Sequence, residues 1–117
     1  MANINQHCLD CENILGEDFR EVHIWLDEMH RYSPGNVKHR CYRHHKQALE
    51  TIKQKFGEKA VKAAMIHIIR DFPTLGKIPD EMDYAEFQKW SQHCDFLQED
   101  PLMDIDFNSI INSCNLN

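Results

Sequence analysis

Glycine and proline are scarce in this chain, four of each in 117 residues. With so few glycines there is no glycine-rich phosphate loop and no G-x-S-x-G nucleophile elbow, which removes two common catalytic templates. No apolar run approaches the roughly 20 residues that a membrane-spanning helix needs. The start of the chain lacks the charged opening and apolar middle of a secretory signal. The expected location is therefore the cytoplasm. Strand-like alternation, internal repeats and low-complexity tracts are also missing. Five cysteines (Cys8, Cys11, Cys41, Cys94, Cys114) are an odd number and cannot all pair within the chain, so free thiols are expected.

What is present describes an ordinary globular protein: hydrophobic content is 42% and charged content 27%. By length it is one domain with room for a single core. The net charge of -6 conceals an uneven distribution. Residues 1–30 carry seven acids against one base, residues 31–70 ten bases against two acids, and residues 71–117 ten acids against two bases. A basic middle suits a phosphate-containing ligand if those charges converge in a pocket; otherwise basic central helices merely pack beside acidic ones.

Apolar periodicity predicts an all-α protein, a compact bundle of about five helices. The first runs from Asn5 to about Ile14 and stops at Gly16, and Glu17-Asp18 open a second, with Phe19, Val22, Leu26 and Met29 on its core face. Ser33-Pro34-Gly35-Asn36 breaks the chain. A third helix is predicted from about Val37 to Phe56, with Val37, Cys41, Ala48, Ile52 and Phe56 inward. After Gly57 a fourth runs to about Asp71. Its main stripe is Val61, Ala64, Met65, Ile68 and Phe72, and Ala60, Ala63, His67 and Asp71 adjoin it. The small residues of that second stripe let another helix come close. Phe72 to Pro79 is a Pro/Gly loop, and Asp80 to about Phe96 a last helix. Residues 1–100 form the predicted domain. Residues 101–117 form a partly irregular acidic tail that either docks as a short helix or stays mobile.

Histidine carries the functional signal. Four of the eight histidines and their neighbouring charged residues fall at organised spacings: His23 and Asp27 one turn apart, Arg40 one turn before His44-His45, His67 and Asp71 one turn apart. An i, i+4 spacing puts both members of a pair on one helix face. Imidazole and carboxylate are ordinary transition-metal ligands. The candidate metal ligands are His23, His44, His67 and Asp71, for zinc, iron or manganese. Asp27 is a candidate general base, further ligand or imidazole orienter, His45 a substrate contact, and Arg40, with Arg43, a fork donor for phosphate. The bland alternative is a polar cluster of histidines satisfied by hydrogen bonds. Cys8 and Cys11 have the spacing of half a zinc site without a second half at zinc-finger distance. Two reduced cysteines on a short helix are the simpler reading, and a composite site with Cys41, Cys94 or His93 the other. A Cys-His dyad through Cys41 or Cys94 rests on composition alone. Trp25, Trp90, Tyr42 and Tyr84 read as core or interface aromatics, and no basic recognition helix stands apart from the histidines. Nucleic acid, through residues 38–62, is the least supported partner.

The order His7, Gly16, His23-Ile24-Trp25-Leu26-Asp27, His39-Arg40-x-x-x-His44-His45, Phe56-Gly57, His67-Ile68-x-x-Asp71, Ile78-Pro79 resembles a group of small bacterial and phage proteins catalogued as a domain of unknown function. The resemblance covers about residues 5–84. It implies that His7, His23, Asp27, His39, Arg40, His44, His45, His67 and Asp71 are one set of polar positions, and it brings no established activity. Likeness to the HD phosphohydrolases is in general style only, because His44 is followed by His45 where that superfamily has aspartate.

Two functions follow as expectations. One is a metal-dependent hydrolase acting on a phosphorylated or nucleotide-like small molecule. The other is a non-catalytic interaction protein, a phage-type modulator of a host protein, whose histidines form a structural cluster. The oligomeric state is not set by the sequence.

Overall fold

A computed structural model of the chain describes residues 4–28, 43–72, 78–79 and 105–113. Within them the chain forms five helices, α1 (Ile4–Leu15), α2 (Arg20–Asp27), α3 (Lys46–Phe56), α4 (Glu58–Asp71) and α5 (Phe107–Ser113). No strand occurs among the described residues, in keeping with the all-α expectation. The break at Ser33–Asn36, the start of the predicted third helix and the helix predicted over Asp80–Phe96 lie outside the described residues.

The centre of the bundle is α4. Every residue from Ala63 to Asp71 is buried, so this helix turns all its faces to protein. It packs against α1, α2, α3 and α5. Ala60, Ala63 and Ala64 are almost fully buried. Their small side chains let α1 approach until the Cys11 thiol donates to the Ala63 carbonyl at 3.7 Å. Val22 and Leu26 of α2, Leu49 and Ile52 of α3, and Phe107 of α5 complete one core with Met65, Ile66, Ile68, Ile69 and Phe72.

Two glycines set the joints. Gly16 (φ 84°) and Gly57 (φ 99°) adopt left-handed backbone that costs a side-chain-bearing residue energy. Each closes the helix before it, Gly16 N–H donating to the Glu12 carbonyl and Gly57 N–H to that of Lys53, both at 3.0 Å. The second helix opens at Arg20 rather than at Glu17-Asp18, because Phe19 is itself left-handed (φ 53°) and the helix starts after it.

The predicted third helix is interrupted at the histidine pair. His45 is extended (φ -153°, ψ 171°), and α3 begins only at Lys46. Two partners stabilise this start by taking amide donors that a helix end leaves free. His45 Nδ1 accepts from Ala48 N–H at 3.3 Å, and the Pro79 carbonyl accepts from Lys46 N–H at 2.8 Å.

One buried ion pair fastens three helices. The Arg70 guanidinium on α4 donates from Nε and Nη2 to Asp10 Oδ2 and Oδ1 on α1, at 2.8 and 2.7 Å. Gln6 Nε2 adds a bond to Asp10 Oδ1 at 3.0 Å, and Arg70 lies 5.4 Å from the centroid of the Phe107 ring on α5. Part of the acidic tail thus docks as a short helix, capped by Asp106, whose Oδ1 accepts from Ser109 N–H at 3.1 Å. No helix among the described residues is long and apolar enough to cross a membrane.

Removing one side of a buried fork leaves the other charge uncompensated. Asp10→Ala is expected to cost about 3–5 kcal/mol in urea unfolding. A denaturation midpoint unchanged from the parent would contradict this role for the pair.

Candidate metal centre

Four histidines and two aspartates meet at α4, with His45 next to one of them in the chain. α2 contributes His23 and Asp27, α4 contributes His67 and Asp71, and α1 contributes His7. His44 comes from the turn just before α3 and His45 from its cap. His7, His23, His44 and His67 are fully screened from solvent, and Asp71 is 1% exposed. Among the described residues, Asp27, His44, His67 and Asp71 offer one ligand atom each, all lying within 4.8 Å of one another.

The separations are those of a cage. His44 Nε2 is 2.8 Å from Asp71 Oδ2 and 3.6 Å from Asp27 Oδ1. His67 Nε2 is 3.2 Å from each of those oxygens. Ligand bonds of about 2.0–2.2 Å at tetrahedral or octahedral angles put neighbouring donor atoms about 2.9–3.6 Å apart. The His44–Asp27, His67–Asp27 and His67–Asp71 separations fall in that range, and the His44–Asp71 contact is just shorter.

Hydrogen-bond roles fix which face of His67 points into the cage. The Asp18 backbone carbonyl can only accept, so His23 Nε2, 2.8 Å away, carries a proton and donates to it. Neutral His23 then accepts at Nδ1, and His67 Nδ1–H donates to it at 3.0 Å. His67 Nε2 is left facing two carboxylates. A bare lone pair there would repel them, so that position demands a proton or a metal cation. A ligating imidazole held through its other nitrogen is the ordinary support of a metal site. The residues fit a divalent ion.

The electrostatics agree. Burial pushes the His44 imidazole down to about 3. Burial also takes His23 down to about 3, helped by His67 and His7, and lowers His7. Burial acts the same way on His67, but Asp27 and Asp71 outweigh it and hold that ring up to about 9. In the metal-free protein His67 is thus a cation clasped by two carboxylates.

The candidate residues stand in different surroundings. Asp27, expected as a base or a further ligand, is one of the four clustered groups and the most exposed, at 24%. His23, expected as a ligand, has its ring nitrogens in hydrogen bonds to His67 and to the Asp18 carbonyl. His45 uses Nδ1 to cap α3. Arg43 points elsewhere, with Nη1 donating to the Trp25 carbonyl at 2.7 Å and the guanidinium 4.1 Å from that ring. Arg40 lies outside the described residues, as do His39, Cys41, Cys94 and His93. Cys8 and Cys11 are free and buried. Burial drives the Cys11 thiol up to about 12, away from the thiolate that zinc requires. His7 was no candidate ligand on spacing alone. Its signal was there, a histidine on the stripe Ile4, Cys8, Cys11 and Leu15 where an apolar residue is expected.

The family model for "Domain of unknown function (DUF6915)" matches residues 2–93. The chain belongs to that family. No curated protein and no solved structure matches it.

Stability of the metal-free protein should peak near pH 6.5. Below 6.5 the unfolded chain takes up protons at His23 and His44 that the folded chain refuses until about 3, so stability falls with acid. Above 6.5 the folded chain keeps the His67 proton up to about 9 while the unfolded chain has lost it, so stability falls with base as well. The acid side declines by about 1.4 kcal/mol per pH unit for each such histidine. Thermal melts in chelator across this range, with nitrogen NMR placing the His23 proton on Nε2, check it. A melting temperature still rising toward pH 9 would show that His67 is not held as the cation.

Proposed function

We propose that Asp27, His44, His67 and Asp71 bind a divalent zinc, iron or manganese ion, and that the centre hydrolyses a phosphorylated or nucleotide-like small molecule. The observation that carries the metal is His67, its Nδ1–H tied back through His23 to the Asp18 carbonyl and its Nε2 aimed between two carboxylates. Two imidazoles and two carboxylates suit these borderline ions better than calcium or copper. Such an ion lowers the pKa of bound water toward neutrality.

The chain's own groups divide the remaining work. His44, His67 and Asp71 hold the interior side, where the core excludes bulk water. Asp27, partly exposed, marks the side from which water and substrate arrive, and its carboxylate takes the proton that water gives up. Arg40 binds the phosphate, since Arg43 and Arg70 are engaged with Trp25 and Asp10. A cytoplasmic setting, in a bacterial or phage-infected cell, agrees with free Cys8 and Cys11.

Near-complete burial of three of the four groups favours a second reading, a closed structural ion in a non-catalytic protein that docks on a protein partner. One set of measurements separates the two. Tag-free protein should carry about one equivalent of metal, lost in His67→Ala and His44→Ala, and should release roughly one proton on binding at neutral pH as His67 gives up its own. Hydrolysis of a generic phosphodiester should fall about 100-fold or more in Asp27→Asn. Metal without hydrolysis selects the structural reading. Protein that is metal-free and keeps its fold in chelator sinks both.

A further inference from the structure

His7 reaches the centre from α1 and touches two members of the four-group cluster at once. It is wholly screened from solvent. Its ring lies on that of His67, with centroids 3.6 Å apart and planes 15° apart. Its Nε2 lies 3.2 Å from Asp71 Oδ1. No better-directed partner for either ring nitrogen is found among the described residues. A buried donor left unpaired costs about 1–3 kcal/mol, so this ring is drawn to the Asp71 oxygen. Burial and the neighbouring His67 keep the His7 ring uncharged. A neutral imidazole carries one proton, and against a carboxylate oxygen that proton sits on Nε2.

The two oxygens of Asp71 therefore have different clients. Oδ2 stands 2.8 Å from His44 Nε2 and 3.2 Å from His67 Nε2, while Oδ1 stands against His7. A carboxylate can give a metal one oxygen or both. An N–H on Oδ1 occupies that oxygen and opposes the rotation that would bring both to one ion. The stack meanwhile fixes the plane of the His67 ring, whose Nδ1 edge is already tied to His23. Outer partners of this kind orient ligating carboxylates and imidazoles. We infer that His7 is a positioning residue that limits Asp71 to one oxygen and thereby holds the centre at the low coordination number of zinc.

This inference rests on the four-group metal centre proposed above and narrows its ion, whether that ion is catalytic or structural. Two imidazole nitrogens and one oxygen from each aspartate make four donors, the set that zinc takes tetrahedrally. Manganese favours an octahedral shell rich in oxygen, and a chelating Asp71 would bring the site a step nearer to it. The role needs no space in the core, because His7 acts through contacts that are already made. It also accounts for a histidine, rather than an apolar residue, at a fully buried position of α1.

Cobalt(II) reports its coordination number through the strength of its visible bands, which are intense for a four-coordinate ion and weak for a six-coordinate one. Chelator-stripped protein loaded with cobalt(II) should give the intense bands. His7→Phe keeps an aromatic ring on His67 and removes the N–H. Its bands should weaken several-fold as Asp71 chelates, and its preference for zinc over manganese in competition titrations should fall about 10-fold or more. His7→Gln, whose side-chain amide can donate in the same place, should restore both. Nitrogen NMR of the zinc-loaded parent should place the His7 proton on Nε2; this and the parent's cobalt spectrum need no variant, so they decide the matter even where His7→Phe fails to fold. Weak six-coordinate bands in the parent, a His7→Phe protein with the parent's spectrum and selectivity, or a His7 proton on Nδ1 overturns the inference and leaves the four-group centre standing. No metal uptake at all overturns both.

Discussion

Asp71 is a carboxylate taken almost completely out of water, and the rest of the bundle is arranged around what that costs. An uncompensated charge in an apolar interior is worth several kcal/mol against folding. Three imidazoles stand against it: His44 from the turn before α3, His67 from one turn back on α4, and His7 from α1. Asp27 on α2 adds a second negative group to the same place and sharpens the demand for positive charge. A cation bound there would compete with the His67 proton for that demand, and its binding would then add directly to the stability of the fold.

The neighbouring residue solves the same problem without a metal. Arg70 is buried too, though less completely than Asp71, and it meets Asp10 in a two-bond fork, so its requirement is met within the chain. Consecutive residues of α4 thus point opposite charges to different clients, one closed and one open to an ion. Their adjacency explains why the last turns of α4 must be covered on all sides, by α1 and α2 and by α5 with Phe107.

Much of this was readable from residue order. Gly16 marked the end of α1, the 3-4 rhythm of apolar residues gave α2 and α4, and the His/Asp pairs at i, i+4 marked both helices of the centre. Periodicity failed at His44-His45, because the series Ala48, Ile52, Phe56 extrapolates backward through the pair without a break. What stops the helix is His45 acting as a cap and the Pro79 carbonyl arriving from a distant segment, and neither has a local signature. The hydrogen bonds of His23 were hidden for a related reason. Spacing says that a side chain faces inward but not which of its nitrogens is already taken, and the taker here is a backbone carbonyl. The Asp10–Arg70 fork spans 60 positions and joins residues of unremarkable context, so only the folded chain brings it to view.

The relay that aims His67 ends on the main chain, at the carbonyl of residue 18. No side-chain replacement at Asp18 can delete that acceptor, so the protonation pattern of His67 is insulated from mutation there. Its vulnerability moves one residue along. The peptide plane carrying the carbonyl is turned by the left-handed backbone of Phe19. A β-branched residue resists that conformation far more than phenylalanine, asparagine or glycine does. The permitted residues at position 19, outside the centre and half-buried at the surface, are therefore set by the chemistry of an imidazole deep inside it.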